Sequence, residues 1–281
     1  MSAPASAPRR LSRKVCMAII LVAAPLLLIL EFGKPTLTED PVLAPLISMS
    51  LTRLIGAAVF FALLLSEGYR VLGMGRRPFW KSLVFILPAL AVVINNMPIL
   101  SLLWGDAYIV HKAPVYWFFF ALECLAIGLF EEAAFRGVIL LMFAERRYAT
   151  RKGLFVSIIL TSAVFGAVHL VNLAVGAGIG AVLRQIGYSF LIGAMCSVVL
   201  FKTRNLWLCV LLHALFDFCG NLVPTLGAGT WWDIPTVIVT VLLAVATTAY
   251  MVWQFFRLDL EEVGDIYRGL KPPRDEAHPE V

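Results

Sequence analysis

Two adjacent carboxylates and an arginine, Glu131, Glu132 and Arg136, stand in an apolar run that extends from about Val115 to Ala144. A charged group near the centre of a membrane-spanning helix costs roughly 2.5–3.5 kcal/mol on insertion scales, so such a cluster requires compensation and a purpose. The spacing supplies part of both. Residues four apart lie one above the other on a helix, and Glu132 is therefore expected to pair with Arg136. Glu131 is rotated from its neighbour by about 100° and faces elsewhere, which leaves it for chemistry.

Two further polar groups interrupt apolar runs. In Phe165-Gly-Ala-Val-His169-Leu-Val-Asn172, the histidine shares a helical face with Phe165 and Asn172. In His213-Ala-Leu-Phe-Asp217-Phe-Cys-Gly-Asn221, the three polar residues recur every fourth position and form one stripe. Each group alone has a structural explanation: an interhelical hydrogen bond, an ion pair, or polar glue between helices. Together they bring a carboxylate and two histidines from three helices, and intramembrane ionisable groups mark function. Arg53, in another apolar run, receives no role.

Glu131, His169, His213 and Asp217 form a chemically coherent set. A carboxylate beside a histidine can take a proton from water, while a second histidine with Asn or protonated Asp can stabilise an oxyanion. The same four residues could instead ligate Zn²⁺, because two histidines and a carboxylate with an open position describe a common catalytic zinc site. No HExxH motif is present, so a zinc site would be assembled across helices. No Ser or Cys lies in a recognisable nucleophile motif, which favours water-mediated hydrolysis over an acyl-enzyme.

The elements that must position these groups are hydrophobic helices. Of 281 residues, 60% are hydrophobic and 15% charged; soluble domains carry about 25% charged residues. Mean hydropathy is +0.88. The fold class expected is an all-α, polytopic membrane bundle. Apolar runs near 15–30, 46–66, 82–104, 115–144, 154–175, 183–201, 205–222 and 234–256 make eight candidate spans, each close to the ~20 residues a bilayer core demands. The Gly-rich stretch 176–180 could be either a loop or a broken helix. Lys and Arg cluster at the N-terminal tail and around Arg70, Arg76, Arg77 and Lys81. Further clusters lie around Arg146, Arg147, Arg151 and Lys152, at Lys202 and Arg204, and in the C-terminal tail; the alternate loops hold only Lys34, Lys112 and Arg184. Eight spans with both termini cytoplasmic place every cluster inside.

The expected organisation is a basic tail (1–14), N-terminal spans (15–114), a core (115–222), a last span (223–256) and a charged, poorly ordered tail (257–281). The run 15–30 lacks a small-x-small cleavage site and reads as an uncleaved span. Trp80, Trp104, Trp117, Trp207, Trp231 and Trp232 lie near helix ends as interfacial anchors. The five cysteines have no paired spacing and read as small buried apolar residues. The net charge of +5 does not indicate nucleic acid, since the basic residues sit in short loops.

The three motif groups, in this order, resemble the CAAX-protease and bacteriocin-processing (CPBP, or Abi) family of intramembrane peptidases, marked by EExxxR, FxxxH and HxxxN or HxxxD. The resemblance covers roughly residues 115–222, including Gln185–Gly193 and Thr203–Trp207. It implies a membrane-embedded endopeptidase in which Glu131 activates water with help from His169. His213 and Asp217 would bind the oxyanion or a metal, and Glu132 and Arg136 would hold their helix in place. Phe165, Asn172 and Asn221 would support the site. The cofactor implied is Zn²⁺ or another divalent metal, with a metal-free glutamate mechanism as the alternative. The partners implied are the bilayer and a membrane-anchored peptide, prenylated or of bacteriocin or signal type, in a bacterial cytoplasmic membrane. Two other classes compete: a proton-coupled transporter using the same four residues as a relay, and a catalytically silent scaffold or immunity protein.

Overall fold

The computed structural model describes residues 10–32, 37–73, 79–230 and 234–270. Lys34, Arg76, Arg77, Trp231, Trp232 and the charged residues beyond 270 lie outside the described residues. The chain runs through α1 (Arg13–Phe32), α2 (Leu43–Glu67), α3 (Phe79–Asn95), the short α4 (Ile99–Trp104), β1 (Ala107–Ile109) and α5 (Pro114–Glu132). A π-helical segment (Ala133–Leu140) and α6 (Leu141–Ala144) continue α5 without a break. Then follow α7 (Arg151–Ala167), a 3₁₀ segment (Val168–Val175), α8 (Ile179–Thr203), α9 (Leu206–Leu226), β2 (Gly227–Gly229), α10 (Ile234–Phe256) and α11 (Leu260–Gly264). Among the described residues, five helical stretches are long and apolar enough to cross a membrane: Leu43–Glu67, Arg151–Val175, Ile179–Thr203, Leu206–Leu226 and Ile234–Phe256. The molecule is a helical, multi-pass integral membrane protein.

Helix ends follow local chemistry. Asp40 accepts from the amides of Val42 and Leu43 ahead of α2, Thr150 caps α7 through the amide of Gly153, and Asn205 caps α9 through that of Trp207. Gly176, with φ of 91°, turns the chain between the 3₁₀ segment and α8. The stretch 176–180 is thus a turn followed by the start of a helix. The expected run 82–104 divides in two because Pro98 disfavours helix before it. The side chains of Asn95 and Asn96 meanwhile bond outward, to Thr240 Oγ1 (2.8 Å) and the Phe216 carbonyl (3.1 Å).

Helix α5 packs between α2 and α9, α7 packs on α8, and α10 leans on α3. At Gly128 a Cβ would stand 3.0 Å from the Val210 carbonyl and 3.1 Å from the Ala214 amide, so the α5 and α9 backbones touch there. That contact brings the polar stripe of α9 against Glu131 and Glu132. A small buried cluster of Leu46, Phe120, Cys124, Leu222 and Leu226 joins α2, α5 and α9 towards one end. There β1 and β2 pair antiparallel, Tyr108 opposite Ala228, an addition to the all-α expectation.

The opposite end is closed by the tails. Arg10 is buried between Glu67 and Glu145. Residues 257–270 are folded rather than loose: Val263 and Ile266 are fully buried, and Tyr267 stacks on Tyr148 at 4.8 Å. Apolar side chains at 258, 263, 266 and 267 within a charged segment account for this docking. Trp80, Trp104 and Trp207 are exposed, and Trp207 donates to the Leu72 carbonyl at 2.9 Å. All five cysteines are buried and unbridged.

Candidate active site

Phe165 is the hub of the site. Its ring lies 4.7 Å from Phe135, 5.6 Å from His169 and 5.9 Å from His213, and the Arg136 guanidinium stacks on it at 4.2 Å. One buried aromatic side chain thereby touches all three motif groups, and it holds the guanidinium by cation–π attraction. Gly193 makes room for that guanidinium: a Cβ there would be 3.0 Å from Nη2.

Glu132 is fully buried, and its Oε1 lies 3.0 Å from Arg136 Nη1, the expected pair. The pair does not sit on a plain α-helix, because the segment from Ala133 is π-helical. Such segments are rare and frequent at functional sites. The same Oε1 is 2.6 Å from His213 Nδ1, so Glu132 serves both an arginine and a histidine. Since a carboxylate facing a guanidinium accepts, Nδ1 carries the hydrogen of this bond. The other nitrogen, His213 Nε2, stands 3.6 Å from Glu131 Oε2 and 3.6 Å from Asp217 Oδ2. These separations are too long for direct hydrogen bonds. Glu132 Oε2 and Asp217 Oδ2 are buried without a hydrogen-bond partner. Both Arg136 terminal nitrogens are likewise buried without a hydrogen-bond partner among the described residues, so the centre is bonded through Glu132 Oε1 and keeps unpartnered polar atoms on both sides of His213.

His169 is the second residue of the 3₁₀ segment and is half-buried, within electrostatic range of Glu131, His213 and Arg53. Asn172 donates to Gln185 Oε1 on α8 at 2.7 Å. It anchors the segment that carries His169. Asn221 is exposed along a cavity of about 950 Å³ between α3, α7, α8, α9 and α10, a cavity that Asp217 also lines. Asp217 is where the ionic centre meets this cavity.

Sequence reasoning passed over Glu123, which lies within electrostatic range of Asp217 and of Arg53. Arg53, left without a role, reaches the same place from α2 and lies 5.2 Å from the Phe130 ring. An ionisable residue eight positions before Glu131, in the same apolar run, was the available signal.

Tested as a zinc cage, the four-residue set does not close. Among the described residues, the group of three ligand-type residues whose donor atoms all lie within 4.8 Å of one another is Glu132, Cys196 and Cys209, not Glu131, His169, His213 and Asp217. Glu132 is already engaged by Arg136 and His213.

Residues 113–219 match the protein family described as Type II CAAX prenyl endopeptidase Rce1-like. That segment holds every polar group from Glu123 to Asp217; α1, α2, α10 and the tails lie outside it. The matched family is one of proteases. No curated protein and no solved structure matches the chain.

Proposed function

We propose, from the protease-family match across residues 113–219, that this chain is an endopeptidase that cuts a membrane-associated peptide inside the bilayer. The observation that supports it best is the two-sided environment of His213. Its Nδ1 is fixed by Glu132, while its Nε2 faces the open gap bounded by Glu131 and Asp217. Glu131 takes the proton of a water entering that gap and later passes it to the leaving amine, with His169 orienting the water. His213, in the form protonated on both nitrogens, directs Nε2–H at the tetrahedral oxyanion, and Asp217 and Glu132 balance its charge. Arg136 and Phe165 keep Glu132 and His213 in register. No step is routed through a metal.

Peptide enters from the cavity that Asp217 and Asn221 line. In this reading all eight helical runs cross the membrane, with both termini on the Lys/Arg-rich side, and the setting is a bacterial cytoplasmic membrane. The substrates to offer are prenylated CAAX peptides, which the family description names, and other membrane-anchored peptides beside them.

The test is peptide cleavage by purified wild type, E131Q and H213A over a panel of such peptides, with and without chelator. Cleavage that is lost in both variants supports the reading, and the chelator arm reads whether an ion participates. Absence of cleavage by wild type across the panel, with E131Q still supporting the cellular function, would overturn it in favour of a silent scaffold. A pH-gradient-driven solute flux abolished by E131Q would favour a transporter.

A further inference from the structure

The cavity of about 950 Å³ continues well beyond Asp217, and its far half has a different character. Near Asp217 it is lined by polar groups, among them Asn96, Gln185 and Asn221. Towards the ends of α8 and α10 and the start of α7 the lining turns apolar, with Phe155, Ile158, Val198, Met251, Phe255 and Phe256. At that end three cations stand just past the last lining residues. Arg151 lies one helical turn before Phe155 on α7, Lys202 lies one turn after Val198 on α8, and Arg257 follows Phe256 on α10.

Contacts fix them at the rim. Arg151 Nη1 donates to the Phe255 carbonyl at 3.3 Å, Lys202 Nζ donates to the Arg257 carbonyl at 3.0 Å, and the Arg257 guanidinium covers the Trp253 ring at 4.1 Å. Cations at the last carbonyls of α10 also suit the helix dipole, which explains two of the bonds. It does not explain a deep apolar groove opening beneath them. The nearby Asp259 side chain is turned away, accepting from the amides of Glu261 and Glu262 to cap α11.

We propose that this half of the cavity is a binding site for one anionic glycerophospholipid. Its phosphate headgroup sits among Arg151, Lys202 and Arg257, and an acyl chain lies down the groove between α8 and α10. Basic pockets between spanning helices select anionic headgroups because each Lys or Arg near the surface adds attraction that a zwitterionic lipid does not match. Helix α10 is the least buried of the long spans, 17% of its apolar window lying inside the molecule, so the groove has lipid directly beside it. The site is separate from Glu131 and His213, and the proposal does not depend on the endopeptidase reading.

The experiment is native mass spectrometry of the purified full chain after equilibration with mixed micelles of phosphatidylglycerol and phosphatidylcholine. Wild type should retain one phosphatidylglycerol in preference to phosphatidylcholine. In R151Q/R257Q that preference should fall by about fivefold for each cation removed. A244F, which fills the groove from α10, should abolish retention. Melting temperature checks that both variants are folded. Equal retention of the two lipids by wild type, a preference unchanged in R151Q/R257Q, or retention that survives A244F would each overturn the proposal. So would retention of a prenylated peptide but of no phospholipid, which would assign the groove to substrate. Peptide cleavage by R151Q/R257Q, whose two cations lie outside the cavity lining, reports separately on the catalytic residues.

Discussion

One continuous helical run, residues 114–144 with Glu145 at its end, takes part in two buried ionic networks that are built differently. At its end, Arg10 donates to Glu67 (3.2 Å from Nε), to Glu145 (2.7 Å and 3.0 Å) and to the Tyr69 hydroxyl (3.1 Å). Tyr69 in turn donates to Glu145 at 3.0 Å, and Cys16 Sγ donates to Glu67 at 3.2 Å. Midway, Glu132 binds Arg136 and His213 closely, but Nε2 of His213 faces two carboxylates across 3.6 Å gaps, and two carboxylate oxygens have no hydrogen bond. Among the described residues, every side-chain nitrogen and oxygen of Arg10, Glu67, Tyr69 and Glu145 is hydrogen-bonded, while the second network keeps unpartnered atoms. Buried polar atoms left without partners are costly, so the two networks differ in how much of their polar surface is still open to a partner. The first network pins Arg10 and α2 to the core, whereas in the second the gap at His213 Nε2 is where the proposed mechanism puts its water.

The sharpest way to break this contrast is E131Q. Because Glu131 makes no close hydrogen bond among the described residues, approaching His213 at 3.6 Å, its loss should leave the fold intact while peptide cleavage falls by about 10²–10⁴-fold, the range of a general base. Turnover and melting temperature on one preparation check it. Equal activity would assign the open side no chemistry.

E132Q should act in the opposite sense. Glu132 is fully buried with Arg136 beside it, and breaking such a pair costs about 3–5 kcal/mol. Denaturant unfolding should show that loss, with part of it recovered in E132Q/R136M, where no charge is left uncompensated.

At the other network, R10A should cost about 3 kcal/mol, the low end of the same range, because Glu145 keeps 16% of its side chain exposed. Its turnover per folded molecule should equal that of wild type. A fall in turnover without a fall in stability would couple the tail to catalysis.

The pH response sharpens the same point. Burial opposes ionisation of Glu145, but the hydrogen bond and charge of Arg10, with the Tyr69 hydroxyl, outweigh it and hold the carboxyl below its ordinary 4.5. A depressed carboxylate contributes stability that is fully present above the ordinary value and is lost as pH falls through the folded one. The melting-temperature gap between wild type and E145Q should therefore stay constant between about pH 6 and 7 and shrink below 4.5.

The smallest effect expected is N172A, which removes one hydrogen bond to Gln185. It should cost about 1 kcal/mol in unfolding and lower cleavage only by loosening the segment that holds His169.

Much of the polar set was legible in the sequence because ionisable residues are rare in apolar runs and helical spacing puts every fourth one on a common face. Glu132 with Arg136 was readable in this way, as was the stripe from His213 to Asn221. The sharing of Glu132 with His213 was not, because it depends on how closely α9 approaches α5, and that approach depends on Gly128 lacking a Cβ. The π-helical turn after Glu132 leaves no mark in hydrophobic periodicity. Nor does the burial of Arg10, which looks like any cation of a basic tail until Glu67 and Glu145 converge on it.

Composition and spacing were enough to specify a helical membrane protein, and they singled out the chemically capable residues within it. Both follow from the cost of placing backbone and charge in hydrocarbon, which is paid residue by residue along the chain. Which carboxylate is bonded and which is open, where Glu123 and Arg53 arrive, and the cavity that ends at Asp217 were set by packing between helices. Those contacts join residues up to 165 positions apart, as Phe85 and Tyr250 are, and their geometry turns on side-chain volumes at crossings that no local pattern records.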